Sequence, residues 1–333
     1  NTYPFLNDKT RYSLGRYAAN HLAAMIVLKP DFVSHFSGII GLTQDNDGWQ
    51  TTGQLDLHLE NAWKSAGTID INWRRKDELS QTVGLAIEEP HPLALPVGLS
   101  AAFHQNLDQG LYVQRETRGG VLIPLAAQGR WQVGAERIVV TPTNQGDSAG
   151  VVASKTRLIY MNGAGDRRDD RWLPESGMAW DIYIAFGKNR DADLTDRTGR
   201  YRLQMEYYWH LLPSWLMHSG LWLQGSVTGR SKSLAEQVRF GGATVLRGYR
   251  EDFFSSDWVA VPQIELVYLA GNDLRLYLFT DVALQDKYDP VPIGYGIGLT
   301  QRTPGTIIKV SYGLAQGDRI SEGKLHFNVV GKL

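Results

Sequence analysis

From Gln54 to Glu60 every second residue is apolar: Leu55, Leu57 and Leu59 alternate with Gln54, Asp56, His58 and Glu60. Thr68 to Arg74 repeats the pattern through Ile69, Ile71 and Trp73, and Arg202 to His210 ends its apolar side in Tyr207 and Trp209. Successive side chains of a strand point to opposite faces, so each segment has one greasy side and one wet side. A chain made of such segments folds either as a sandwich with its apolar faces inward or as a membrane barrel with them outward.

Three features favour the barrel. The polar face is ionic in consecutive segments, as a lumen would be. Trp49, Trp73, Trp131, Trp209, Trp215 and Trp258 fall near segment ends, where interfacial girdles belong. The segments also run from residue 36 to the end without helical interruption, too far for one sandwich. Helical spans are excluded, because the longest apolar run, Leu22 to Leu28, is far short of the roughly 20 residues a spanning helix needs. The expected fold class is therefore all-β, a transmembrane antiparallel barrel of about 16 strands.

Turn signals place the first strand at 36–44 and the last at 323–333, with one segment spanning 148–163. The stretch 229–255 lacks alternation and reads as a long loop. Residues 1–35 stand apart. Tyr12, Leu14, Tyr17, Ala18, His21, Leu22, Met25 and Ile26 can share one helical face, stopped by Lys29-Pro30. A short helix or a linker fits there.

Charge and composition bound the function. Lys and Arg number 34 against 35 Asp and Glu, a net charge of −1, which argues against a nucleic-acid partner. Cysteine is absent, which fits a periplasmic or outer-membrane protein. The histidines show no metal-ligand spacing, so no metal or cofactor is expected, and lumenal His58 and His210 read as structural. Gly146-Asp147-Ser148-Ala149-Gly150 fits the G-x-S-x-G elbow of hydrolases, which requires a strand before it and a helix after it. Here Val151-Val152-Ala153 leads into another alternating segment, so a tight turn at Ser148 is the better reading and no catalytic residue is expected.

The most specific segment is Phe240-Gly241-Gly242-Ala243-Thr244-Val245-Leu246-Arg247-Gly248-Tyr249-Arg250-Glu251. It resembles the long-loop signature of the BamA/TamA assembly-factor superfamily, a glycine pair followed by an Arg-Gly-aromatic tip. The resemblance implies that the loop folds into the lumen and that Arg247 meets carboxylates on the wall. Glu265, in Gln263-Ile264-Glu265-Leu266, and Asp281, in Phe279-Thr280-Asp281-Val282-Ala283, match those acidic positions. Ala283 stands where the family pattern has glycine. Alternation independently puts Asp281 on one face with Asp273, Arg275 and Tyr277, opposite Leu274, Leu276 and Leu278. A guanidinium inside a barrel must be paired, and its planar fork suits carboxylates.

Weaker similarities lie in Asn61 to Gly67, in Glu89-Pro90 and in the glycine-rich hairpin from Tyr295 to Leu314. The closing strand, Lys324 to Val329, alternates as expected, although the chain ends in Leu333 rather than an aromatic. The resemblance implies periplasmic POTRA repeats of about 75 residues each, for which 35 residues leave no room. The expectation is a POTRA-less member, or a barrel cut from a longer chain.

For function, the resemblance implies insertion or translocation of polypeptide at a bacterial outer membrane. Its partners would be outer-membrane lipids and unfolded polypeptide clients. A lateral seam would lie between the first strand (Phe36, Gly38, Gly41) and the last (Phe327, Val329, Gly331), whose glycines weaken pairing. A two-partner secretion pore, a passive or structural barrel and a hydrolase using Ser148 are the alternatives.

Overall fold

The computed structural model describes residues 11–18, 21–27, 34–45, 48–77, 79–125, 129–191, 194–229 and 232–333. Alternation of apolar and polar residues is realised as a closed antiparallel barrel of sixteen strands. They are β1 (His35–Asp45), β2 (Gly48–Glu60), β3 (Thr68–Asp77), β4 (Ser80–Glu89), β5 (Gly98–Asp108) and β6 (Tyr112–Leu125). Next come β7 (Gly129–Pro142), β8 (Ser154–Asp166), β9 (Gly177–Arg190), β10 (Thr195–Leu212) and β11 (Trp215–Thr228). The set ends with β12 (Trp258–Leu269), β13 (Leu274–Val282, resuming at Leu284–Gln285), β14 (Ile293–Thr303), β15 (Thr306–Ala315) and β16 (Lys324–Lys332). Each strand pairs with its sequence neighbours, and β16 closes onto β1.

Alternation sorts the side chains as the sequence requires. Leu55, Ile71, Phe103, Ile159, Leu278 and Ile297 lie exposed on the outer wall. Asp56, Asn72, Tyr160, Glu136 and Asp281 are among the residues that face inward. Outward aromatic pairs, Trp131 with Trp180, Tyr207 with Trp209 and Trp215 with Tyr268, sit at the rim that also carries both barrel ends. At that rim Leu333 N–H donates to the Ser34 carbonyl across 2.8 Å.

Two expectations are corrected. The helix weighed for residues 10–28 is a two-stranded sheet, Arg11–Ala18 against His21–Val27, paired from Arg11–Val27 to Ala18–His21 and separate from the barrel sheet. Gly15 within the run costs a helix about 1 kcal/mol relative to alanine, and aromatic and β-branched neighbours favour strands. The segment expected at 148–163 starts at Ser154, because Asn144–Ser148 forms a short helix capped by Thr143, whose Oγ1 accepts the Gly146 N–H at 3.1 Å. Ser148 ends that helix and donates to the Asn144 carbonyl at 3.0 Å.

The closure of the barrel is uneven. β15 and β16 pair from Thr306–Gly331 through to Gly313–Lys324. Between β16 and β1 the ladder holds only Val330–Ser37, Gly331–Phe36 and Lys332–His35. Beyond Ser37, β1 is paired on one side only, with β2, among the described residues.

Candidate functional site: an inward loop and its lumenal clasp

The β11–β12 connection is long enough to turn back into the lumen, and its own sequence gives it shape. Val238–Phe240 pairs with Phe254–Ser256, and the two strands bring Phe240 and Phe254 into a stack at 5.2 Å. Val238, Phe240, Leu246 and Phe254 bury against Val259 and Val261 of β12 and against Ala283. Ala283, the departure from the family glycine, is fully buried there, so its methyl adds to the packing. Between the short strands the chain must reverse. Gly241 and Gly242 take φ of 129° and 93°, a region that side chains rarely enter, and the Gly242 N–H donates to the Leu246 carbonyl. The Glu251 carboxylate accepts the Ala243 N–H at 2.8 Å and closes the turn.

This scaffold delivers Arg247 to the wall. Its backbone N–H and Nε donate to Asp281 Oδ2 at 3.0 and 2.8 Å, and its Nη2 donates to Asp281 Oδ1 at 2.6 Å. Nη1 donates to Glu265 Oε1. Arg247 is 6% exposed and Asp281 fully buried, so this is a desolvated clasp in which Asp281 takes the Nε–Nη2 edge of the guanidinium and Glu265 takes Nη1. Burial alone would favour the neutral guanidine, but hydrogen bonds to Asp281 and the charge of Glu265 outweigh it and raise the pKa of Arg247. Phe279, on the same lumenal face of β13, lies under the guanidinium, 3.7 Å from its ring centroid. On the other side of Glu265, His218 Nδ1 stands 3.2 Å from Oε2, and Tyr208 stacks on the His218 ring at 4.4 Å.

The tip needs room, and glycines on β14 and β15 supply it. A Cβ at Gly294 would lie 1.8 Å from the Arg247 carbonyl oxygen, and one at Gly313 would lie 2.6 Å from the Gly248 nitrogen. Gly248 itself has φ of 92° and passes the Leu314 backbone at a distance only glycine allows. Tyr249 donates its hydroxyl to the Ile293 carbonyl at 3.2 Å. The structure thus brings together Gly241, Gly242, Arg247, Gly248, Tyr249, Glu265 and Asp281 in one assembly.

The seam residues divide. Phe36 and Gly331 are paired, whereas Gly38, Gly41, Phe327 and Val329 flank the stretch without β1–β16 pairing. A cavity of 590 Å³ reaches from Arg247 and Glu265 to that stretch, where Ser37, Gly38, Phe327 and Asn328 line it.

A second ionic centre, absent from the sequence reading, occupies the wall from β6 to β10. Glu136, with its side chain wholly buried, takes Arg118 Nε at 3.1 Å and Arg200 Nη1 at 2.8 Å, and it accepts the Tyr183 hydroxyl. Arg200 also reaches Glu116 at 3.1 Å. Alternation marks these residues as lumenal, but only strand register shows which of them meet.

No family model and no curated protein matches the sequence. Solved structures do match. BamA from Haemophilus ducreyi lacking POTRA domains 1–3 superposes with a TM-score of 0.65 at 12% identity, covering 99% of this chain and 76% of that one. CdiB from Escherichia coli gives 0.66 at 11% identity over 100% and 69%, and CdiB from Acinetobacter baumannii gives 0.64 at 12% over 97% and 65%. At such identities the fold is what is shared, and in fold the chain belongs with the BamA and CdiB barrels.

Proposed function

We propose that this barrel lies in a bacterial outer membrane and inserts or translocates polypeptide there, opening at the seam between β1 and β16. The observation that carries the reading is the β1–β16 ladder of three residue pairs, beside a β15–β16 ladder of eight. An unpaired strand edge offers its N–H and C=O groups to an incoming strand, which can add to the sheet through main-chain hydrogen bonds. The cavity between the Arg247 clasp and this edge gives such a strand space on the lumenal side. The apolar outer wall and its aromatic rim support a bilayer setting.

The chain has no cysteine, so the seam can be locked cleanly. Ser37→Cys with Val330→Cys uses a directly opposed pair. With the double variant in lipid vesicles and an unfolded barrel protein as client, the oxidised form should fail to protect the client from protease, and reduction should restore protection. Full activity with the crosslink complete would overturn lateral opening.

The likeness to CdiB, as high as that to BamA, favours a second reading as a secretion pore. Transport would then pass through the lumen and require the Arg247 loop to move. Locking the seam would leave such transport intact, and a passive channel would conduct steadily in either state.

A further inference from the structure

We propose that the β8–β9 connection, Arg167 to Ser176, is a latch that ties the two flanks of the seam together from inside the barrel mouth. The inference rests on the lateral-opening reading and adds its regulation.

The connection is a built turn. Asp169 Oδ1 accepts the N–H groups of Glu175 and Ser176 at 2.9 and 3.1 Å, and Asp170 Oδ1 accepts those of Trp172 and Leu173 at 2.7 and 2.9 Å. Its tip crosses the lumen from the β8–β9 wall. Leu173 is 3% exposed and Pro174 is buried.

The anchors fall on both sides of the seam. On the first-strand side, Trp172 meets the His35 ring edge-on at 5.0 Å, and Arg171 Nη1 donates to Glu60 Oε1 at 2.7 Å. On the last-strand side, Arg302 Nη1 of β14 donates to Asp170 Oδ2 at 2.6 Å, and Arg275 of β13 donates to the Leu173 and Pro174 carbonyls. Four consecutive residues plus one proline therefore hold β1 and β2 on one hand and β13 and β14 on the other. They do so at the rim where the His35–Lys332 and Phe36–Gly331 pairs lie. Parting those pairs carries His35 and Glu60 away from Arg275 and Arg302. A turn fixed by its own hydrogen bonds cannot follow both, so one set of anchors must break before the seam opens.

The test uses the full chain in lipid vesicles and reads amide hydrogen exchange at residues 34–38 and 329–333. The variant Asp170→Asn/Arg171→Gln/Trp172→Ala removes anchors on both flanks, while the amide oxygen introduced by Asp170→Asn can still accept the turn's N–H groups. Exchange at the seam should quicken by about tenfold or more, with β5 to β7 unchanged. Trypsin cutting at Arg167 or Arg168 reports that the turn has left the mouth. If trypsin cuts there and seam exchange stays within about twofold of the native chain, the latch is overturned. Should the triple variant stay docked, replacing Asp169–Glu175 by two glycines removes the turn and the same reading decides. Exchange needs no client, so the latch can fail while insertion stands, and the crosslinking result can fail while the latch stands.

Discussion

The carbonyl oxygen of Arg247 fills the space that a side chain at Gly294 would occupy, 1.8 Å from where its Cβ would be. The clasp therefore depends on a missing atom as much as on its charges. Gly294→Val should push the tip off β14 and release the Arg247 fork although every charged partner remains. We expect protease sensitivity between Val238 and Phe254 to rise as far as in Arg247→Ala measured alongside, with the heat-modifiable gel mobility of a folded barrel retained. A Gly294→Val loop as resistant as the native one would show that the wall yields instead.

Removing the fork leaves the buried Asp281 carboxylate with only the backbone N–H of residue 247 for a partner. Arg247→Ala should cost about 3–5 kcal/mol in urea unfolding of the barrel, the range for breaking a buried pair from one side. Arg247→Lys should recover only part of this, because a point charge cannot take both Asp281 oxygens and Glu265 in the plane of one group. Equal stability of the lysine variant would reduce the site to simple charge neutralisation.

The β6–β10 centre should behave as an independent unit. Glu136→Ala leaves Arg118 and Arg200 to share Glu116 alone and should cost several kcal/mol, whereas Tyr183→Phe removes one neutral donor and should cost about 1 kcal/mol. Combined with Arg247→Ala, the Glu136→Ala loss should add without coupling, since the two centres share no partner. A coupling above about 0.5 kcal/mol would mean that the lumen responds as one network.

Acid should release the β8–β9 turn. Burial alone would raise the Asp170 pKa, but the N–H groups of Leu173 and Trp172 and the Arg302 guanidinium outweigh it and hold the carboxyl below its usual range. A group with a depressed folded pKa contributes stability fully above its unfolded value, about 3.9, and loses it as pH falls through the folded one. Cleavage by an acid protease between Trp172 and Pro174 should therefore be absent at pH 5 and appear only well below pH 4. The Asp170→Asn variant, cut at higher pH than the native chain, isolates the contribution of Asp170.

Alternation made most of the barrel legible, because facing is a local property: Asp281 and Glu265 could be placed in the lumen from the residues beside them. Register is not local. Neither the short β1–β16 ladder nor the meeting of Glu136 with Arg200 has a signature in spacing. Phe279 was visible as the neighbour of Asp281 in a motif, but its place under Arg247 follows from the loop's descent, not from the strand. The run Asp169-Asp170-Arg171 reads as an ordinary polar turn, since its partners Glu60 and Arg302 lie more than a hundred residues away on either side. The misread strands Arg11–Ala18 and His21–Val27 carry apolar residues at both odd and even positions, so their spacing fits a helix as well as a strand.

The seam joins Phe36 to Gly331, nearly the whole chain apart, through the shortest ladder of the barrel sheet. Every other barrel joint links strands adjacent in sequence, and each can form as soon as its own hairpin exists. Closing β1 onto β16 carries the largest loop entropy of any pairing here and gains the fewest hydrogen bonds in return. On that ground the joint that completes the cylinder should be the last to zip. The chain's connectivity thus makes this joint the costliest of the barrel to close and the least held once closed.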